Sequence, residues 1–235
     1  MDHKILIIIP TYNEKENISS LIRSIFEVLP KADILIIDDS SPDGTGDIVR
    51  RIGKQNPQIK LITRSNKLGL GTAYIVGFKY ARECNYDLIV QMDADFSHHP
   101  KYLPKFIEEV LKYPLVLGSR YIEGGATVGW GFSRKLLSYC GNLYARCILG
   151  ISTRDLTGGY KCYQKNLVEE ILLMSASSEG YVFQIEATFI AHKKGFAVKE
   201  IPIVFTDRRK GKSKISKKIV FEAIYKIPMM LSRFK

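Results

Sequence analysis

Two carboxylates one residue apart close the apolar run Leu88-Ile89-Val90-Gln91-Met92-Asp93-Ala94-Asp95. Like charges this close raise each other's pKa unless a cation neutralises them. The hard ions Mg²⁺ and Mn²⁺ take oxygen ligands and share them with a diphosphate. The pair therefore reads as a nucleotide-diphosphate metal site; the competing reading is a capping pair at a strand-to-helix turn. Asp39 closes a second apolar run, and Tyr12 and Glu14 follow a third. Brought together, these residues offer an aromatic face and carboxylate acceptors, suited to a base and a ribose. Other partial motifs fail on spacing. Gly211-Lys212-Ser213 has Thr206 where a P-loop needs glycine, and Gly69-Leu70-Gly71 has Tyr74 where a dinucleotide loop needs its third glycine. Asp39 to Gly44 would put Arg50 where a calcium loop needs a bidentate Glu. His98 and His99 are adjacent, so their side chains diverge and make a poor metal pair.

Positioning these groups takes alternating strands and helices. The β-branched run Lys4 to Ile9 predicts a buried strand, as do Ile34 to Ile37, Ile59 to Thr63, Leu88 to Met92 and Leu115 to Gly118. Apolar periodicity predicts helices over Glu16 to Leu29, Asp43 to Lys54, Thr72 to Glu83 and Pro104 to Leu111. This order argues for an α/β fold, a mostly parallel sheet with helices on both faces, whose ligands bind at the carboxyl ends of the strands. The polar clusters fall at those ends. Beyond a Gly-rich loop, Gly124 to Gly131, the pattern predicts helices over Ser133 to Leu149, Leu167 to Met174 and Val182 to Lys194, then a strand over Val198 to Phe205.

The chain has 235 residues, 46% hydrophobic and 25% charged, an ordinary globular balance that excludes a disordered chain or a coiled coil. No run reaches the ~18 continuous apolar residues of a spanning helix. The start, Met1-Asp2-His3-Lys4, lacks the pattern of a signal peptide, and four cysteines without CxxC spacing point to reduced thiols in the cytosol. Net charge is +11, of which ten Lys/Arg and two Asp/Glu between Asp207 and Lys235 supply +8. A local basic patch calls for a local anionic partner. A nucleic-acid role leaves the acidic cluster unexplained, so no nucleic acid is expected as partner. A haloacid-dehalogenase-type phosphatase also uses Asp-x-Asp, but it needs Thr or Val at the position of Ser97 and places the motif on its first strand.

Longer segments carry a resemblance. Pro10-Thr11-Tyr12-Asn13-Glu14, Ile37-Asp38-Asp39-Ser40-Ser41-Pro42-Asp43-Gly44-Thr45, Leu68-Gly69-Leu70-Gly71-Thr72-Ala73-Tyr74 and Met92-Asp93-Ala94-Asp95-Phe96-Ser97-His98-His99-Pro100 occur in that order. Gly118-Ser119-Arg120-Tyr121, Leu156-Thr157-Gly158-Gly159-Tyr160, Gly180-Tyr181-Val182-Phe183-Gln184 and Asp207 to Lys214 follow. Together they resemble family 2 glycosyltransferases of the GT-A fold, most closely the dolichol-phosphate mannose synthase group. The resemblance implies transfer of mannose from GDP-mannose to a polyprenyl (dolichyl) monophosphate, with inversion and with Mg²⁺ or Mn²⁺. The nearest alternative is a sister enzyme using UDP-glucose. Positions matching the donor site are Pro10, Tyr12, Glu14, Ile37, Asp39, Asp93, Ala94, Asp95, Arg120, Arg208 and Lys214. The metal is expected on Asp95, with Asp93 near it, and Asp95 and Arg208 are the expected catalytic residues. Gly158-Gly159 departs from the pattern of relatives.

A lipid phosphate has a second pKa of ~6, so at neutral pH it needs no general base. Bringing that dianion beside a diphosphate needs cations, and arginine's fork suits phosphate. Candidates are Arg120, Arg134 and Arg208, with Ser138 one helical turn after Arg134. From Ile215 onward apolar residues recur at helical spacing among basic ones, with Pro228 expected to kink or split the helix. We expect a glycosyltransferase domain over 1–214 and an amphipathic segment over 215–235 that lies on an anionic membrane surface, at its cytoplasmic face. Relatives without spanning helices suggest small membrane-anchoring subunits as further partners.

Overall fold

A computed structural model describes residues 3–174, 182–207 and 217–233. The order of elements is β1 (Ile5–Thr11), α1 (Ile18–Val28), β2 (Asp33–Asp38), α2 (Thr45–Gln55), β3 (Ile59–Thr63), α3 (Leu70–Glu83) and β4 (Leu88–Gln91). A short 3₁₀ turn (Pro100–Tyr102) precedes α4 (Leu103–Val110), β5 (Leu115–Ser119), β6 (Ala126–Val128) and α5 (Phe132–Leu149). Then follow β7 (Lys161–Gln164), α6 (Lys165–Met174), α7 (Val182–Lys193), β8 (Val198–Pro202), β9 (Val204–Thr206) and α8 (Lys217–Arg233).

Strand periodicity explains the layers. Along β1, Ile7 and Ile9 face one way and join Ile34, Ile36 and Val90 beneath α1, α2 and α4. Leu6 and Ile8 face the other way and join Leu35, Ile37, Tyr74 and Phe183 beneath α3, α6 and α7. Both faces are covered, which is why the strand is apolar at every position rather than at alternate ones. Helix α3 sits unusually close: a Cβ on Gly77 would stand 2.7 Å from Ile8. A third cluster joins Ala145 and Leu149 of α5, Val182, Ile185 and Phe189 of α7, and Ile227 and Met230 of α8.

The main sheet runs β3-β2-β1-β4-β7-β5-β8, as expected for the fold class, parallel except for β7. Sequence patterning misses β7. It is four residues long and carries a buried lysine, so it lacks a β-branched run. It enters antiparallel between β4 and β5, with Gln91 opposite Lys161 and Leu117 opposite Lys161. Its amino end, Gly158-Gly159-Tyr160, therefore lies at the carboxyl edge of the parallel strands. The strand expected over Val198 to Phe205 is two strands. Ile203 bonds to both Ser119 and Ala126, turning the chain from the main sheet into a second, two-stranded sheet of β6 and β9. The expected loop Gly124 to Gly131 thus contains β6. Helix α8 continues through Pro228 rather than splitting there.

Candidate active site

The parallel strands end in a row, and the chain strains as it leaves them. Asn13 after β1, Ser40 after β2 and Phe96 after β4 all have φ between 50° and 62°. This left-handed region disfavours side chains and is least suited to a bulky one such as Phe96. Such strain persists where surrounding contacts fix it, and it clusters at functional sites. Here Asp38 supplies part of the fixing. It accepts from Thr11 Oγ1 at 2.7 Å, Ser41 N at 2.9 Å and Ser41 Oγ at 2.6 Å, tying the first two loops together.

Asp39, expected to face a ribose, is buried and ion-paired. Arg64 donates Nε to Oδ1 at 2.6 Å and Nη2 to Oδ2 at 2.8 Å. The same guanidinium donates to Thr72 Oγ1 and Gly69 O, so the pair also anchors the start of α3. Tyr12 carries Lys67 over its ring at 4.3 Å. Glu14 accepts from Asn17 Nδ2, and its backbone N–H donates to Thr45 Oγ1. Pro10 pairs with Ile37 across β1 and β2, and the Ile37 side chain is sealed in the core, so only its backbone faces the edge.

Asp93 and Asp95 stand just past β4. Ser97 donates to Asp95 Oδ1 from both its backbone N–H, at 3.1 Å, and its hydroxyl, at 2.5 Å. His98 is buried, with its ring stacked on Tyr160 at 4.8 Å. Its Nδ1 accepts from the Asp93 backbone N–H at 2.8 Å. Burial pushes its pKa down despite the nearby carboxylates of Asp93 and Asp95. A neutral ring that accepts through Nδ1 is a positioning group for the loop. Ala94 is buried between the two acids. Among the described residues no group of three or more His, Cys, Asp or Glu gathers as a self-sufficient metal site. Two carboxylates at an open edge fit an ion that draws its remaining ligands from diphosphate and water.

The arginines are not bare charges. Arg120 is buried and forks onto Asp155, Nε to Oδ2 at 2.7 Å and Nη2 to Oδ1 at 2.6 Å. Burial raises the Asp155 pKa, but the Arg120 guanidinium and backbone N–H bonds overcome this and hold it below the usual carboxylate range. Its contribution to stability is therefore present at neutral pH, begins to fall as pH enters that range, and is lost as pH drops below it through the folded-state pKa. Breaking a buried pair leaves one charge uncompensated, at about 3–5 kcal/mol. Asp155→Asn is accordingly expected to lower unfolding free energy in urea by roughly that amount, and a loss below about 1 kcal/mol contradicts the pairing.

Arg134, in the first turn of α5, donates through Nη1 to both oxygens of Asp207, at 2.9 and 3.0 Å. Its guanidinium lies 4.1 Å above the Trp130 ring, and its Nε is buried with no partner among the described residues. Ser138 accepts from the Tyr121 hydroxyl. Arg208 and Lys214 lie outside the described residues.

These groups line one cleft of about 460 Å³. Asp93, Asp95, Ser97 and His98 form its polar end, and Arg120, Arg134 and Asp207 its flank. Much of the rest is apolar, with Leu137 and Tyr144 of α5, Val182 and Ile185 of α7, and Ile224 and Ile227 of α8. Tyr12, Glu14 and Asp39, expected to hold the nucleotide, are not among its lining residues. Sequence reasoning missed Arg64, Asp155 and Asp207, each a charge partner contributed by another segment.

A mostly parallel sheet with helices on both sides and an acid pair at its carboxyl edge is the architecture of GT-A glycosyltransferases. The sequence profile described as Glycosyl transferase family 2 matches residues 6–172, and the chain belongs to that family. An undecaprenyl-phosphate mannosyltransferase from Micrococcus luteus is 42% identical over 224 residues, 95% of this chain and 92% of that one. A polyprenol monophosphomannose synthase from Mycolicibacterium smegmatis is 40% identical over 224 residues, covering 94% and 84%. Among solved structures, glucosyl-3-phosphoglycerate synthase from Mycobacterium tuberculosis, in complex with Mn²⁺, UDP and glucosyl-3-phosphoglycerate, superposes with TM-score 0.68 at 19% identity, over 98% of this chain and 80% of that one. A mannosyltransferase from Pyrobaculum calidifontis in complex with GDP-Man and Mn²⁺ gives TM-score 0.58 at 16% identity, over 100% and 73%.

Proposed function

We propose that this enzyme transfers mannose from GDP-mannose to the phosphate of a polyprenyl lipid, with inversion and with Mg²⁺ or Mn²⁺. The observation that carries the reading is the cleft: acidic at the strand edge, cationic at its flank through Arg134, and apolar between α5, α7 and α8. A lipid phosphate has that sequence of chemistry, a dianion on an apolar chain. The relatives at 42% and 40% identity, named for polyprenyl-phosphate mannose synthesis, support it.

Tyr12, Glu14 and Asp39 hold the nucleoside, with Arg64 fixing the Asp39 carboxylate. Asp93 and Asp95 face the diphosphate. A bound divalent ion there supplies charge neutralisation for the departing GDP. Arg134 orients the acceptor dianion, whose oxygen bonds to the anomeric carbon on the face opposite the breaking bond to GDP. No side chain needs to remove a proton, since the acceptor is already ionised. The test is a panel: GDP-mannose, UDP-glucose and other nucleotide sugars, each with a polyprenyl phosphate and with Mg²⁺ or Mn²⁺. GDP-mannose should be turned over fastest, and faster turnover of UDP-glucose refutes the donor assignment.

The acceptor's tail implies work at a membrane surface, on its cytoplasmic face. Helix α5 exposes Phe132 (81%), Leu136, Tyr139 and Leu143 along one side, and α8 exposes Ile224, Tyr225 and Met229 beside the same cleft. Of the stripe expected of the C-terminal segment, Ile227 and Met230 pack on α5 and α7 and Ile224 faces out, while its members at 215, 219, 220, 223 and 234 lie outside the described side chains. Burying a large apolar side chain contributes roughly 1.5–3 kcal/mol. Phe132→Glu with Leu136→Glu should therefore weaken co-sedimentation with anionic vesicles by about tenfold or more while leaving GDP affinity unchanged. Undiminished pelleting of the double variant places the membrane contact elsewhere.

A further inference from the structure

Beneath the acid pair lies a buried polar chain with a definite direction. The Tyr163 hydroxyl donates to Gln91 Oε1 at 2.9 Å, so the other end of the Gln91 amide is its nitrogen. That nitrogen donates to Gln184 Oε1 at 2.6 Å. The Gln184 amide is thereby oriented, and its Nε2 is the end left over. Gln184 is 1% exposed, and its Nε2 has no hydrogen-bond partner among the described residues. A buried unpaired donor costs about 1–3 kcal/mol and calls for an explanation.

The amide nitrogen is next to the cleft. A methyl group placed on Gly159, which lines the cleft, would stand 3.5 Å from Gln184 Nε2, 3.9 Å from Asp93 Oδ1 and 3.2 Å from His98 Cε1. The missing side chain at Gly159 thus opens a slot with an amide donor on one side and a carboxylate acceptor on the other. A hydroxyl matches both at once, accepting from N–H and donating to a carboxylate. A phosphate oxygen would suit Gln184 but not Asp93. The slot's floor is held firmly. Lys161 Nζ donates to Gln184 O and to Thr188 Oγ1, and burial brings the Lys161 pKa down to about 7. Gln184 lies on the first turn of α7, so this contact fixes the backbone from which the amide projects.

We propose that the slot formed by Gly159, Gln184 and Asp93 binds one hydroxyl of the transferred hexose, making Gln184 a donor-specificity residue. This rests on the nucleotide-sugar reading above. It explains why the chain has glycine at 159, where a Cβ would fill the space the hydroxyl takes.

The test compares GDP-mannose with GDP, both with Mn²⁺, by calorimetry on the unmutated protein, Gly159→Ala and Gln184→Met. Both variants should bind GDP within twofold of the unmutated protein and lose at least tenfold in affinity for GDP-mannose. Equal losses for GDP and GDP-mannose, or no loss for either in a folded variant, overturn the proposal. Thermal unfolding reports whether each variant is folded. A series of GDP-mannose analogues, each lacking one sugar hydroxyl, needs no variant. One member should bind the unmutated protein at least tenfold more weakly than GDP-mannose, and equal binding of all members overturns the slot. If the unmutated protein turns over a different nucleotide sugar, the donor reading fails. The slot is then tested by the same comparison with that donor and its deoxy analogues.

Discussion

Asp95→Ala is expected to lower mannosyl transfer at least about 10³-fold, an effect of ~4 kcal/mol at the transition state. The reason lies in how little else the protein offers an ion. Beside Asp95 at the polar end of the cleft stands Asp93, the third lining carboxylate, Asp207, is bonded to Arg134 at the flank, and among the described residues no group of three ligands gathers into a site. Ser97 bonds to Asp95 Oδ1 from two directions, which fixes the carboxylate's orientation. Loss of Asp95 therefore removes an oriented acceptor that no neighbour replaces. The same scarcity predicts that Mn²⁺ alone binds weakly and that GDP and Mn²⁺ bind together with positive coupling. Excess chelator should reproduce the Asp95→Ala loss in the unmutated enzyme. Full transfer in chelator, or Asp95→Ala retaining a tenth of the rate, contradicts a metal role for this residue.

The strands that carry these acids were legible because their chemistry is repetitive. Runs such as Leu6 to Ile9 and Ile34 to Ile37 have one interpretation when both faces of a sheet are covered. The positions of the polar clusters followed from the strand ends. What stayed hidden was pairing at long range. Arg64 and Asp39 are separated by a helix, and only the parallel register of β2 and β3, with Asp38 opposite Thr63, brings them side by side. The signal existed, an arginine one residue past a strand that neighbours one ending in Asp38-Asp39, but using it requires strand order. Asp155 lies in an irregular loop with no periodicity, so nothing local joins it to Arg120. Strand β7 was hidden for a different reason. Its Lys161 points into the buried layer below α7, where it donates to Gln184 and Thr188. A charged residue in so short a run argues against a buried strand until its partners are known.

Those hidden partners sharpen the assignment of cations. Arg120 is committed to Asp155 in a dry setting, so its guanidinium is a fixed wall of the cleft. Arg134 is half-buried, and its bonds to Asp207 use Nη1. Of the two, Arg134 is the more open to the cleft, its side chain 22% exposed against 7% for Arg120, and the Trp130 ring beneath it limits its motion. Charge-assisted bonds from an oriented fork are the strong kind, and removing one side of such a contact costs about 2–5 kcal/mol. Arg134→Ala should therefore reduce kcat/KM for polyprenyl phosphate by about 10²-fold or more, with GDP affinity within threefold. Arg134→Lys keeps the charge and loses the fork, so it should recover only part of the loss. The unmutated enzyme's rate should rise with pH through the acceptor's own second pKa, near ~6, and then flatten, because no protein base sets the limit. If Arg134→Ala weakens GDP as much as the lipid, the residue serves the donor. If a carboxylate variant instead regains its rate at high pH with donor binding intact, a protein base exists and the acceptor dianion is not the sole nucleophile-forming group.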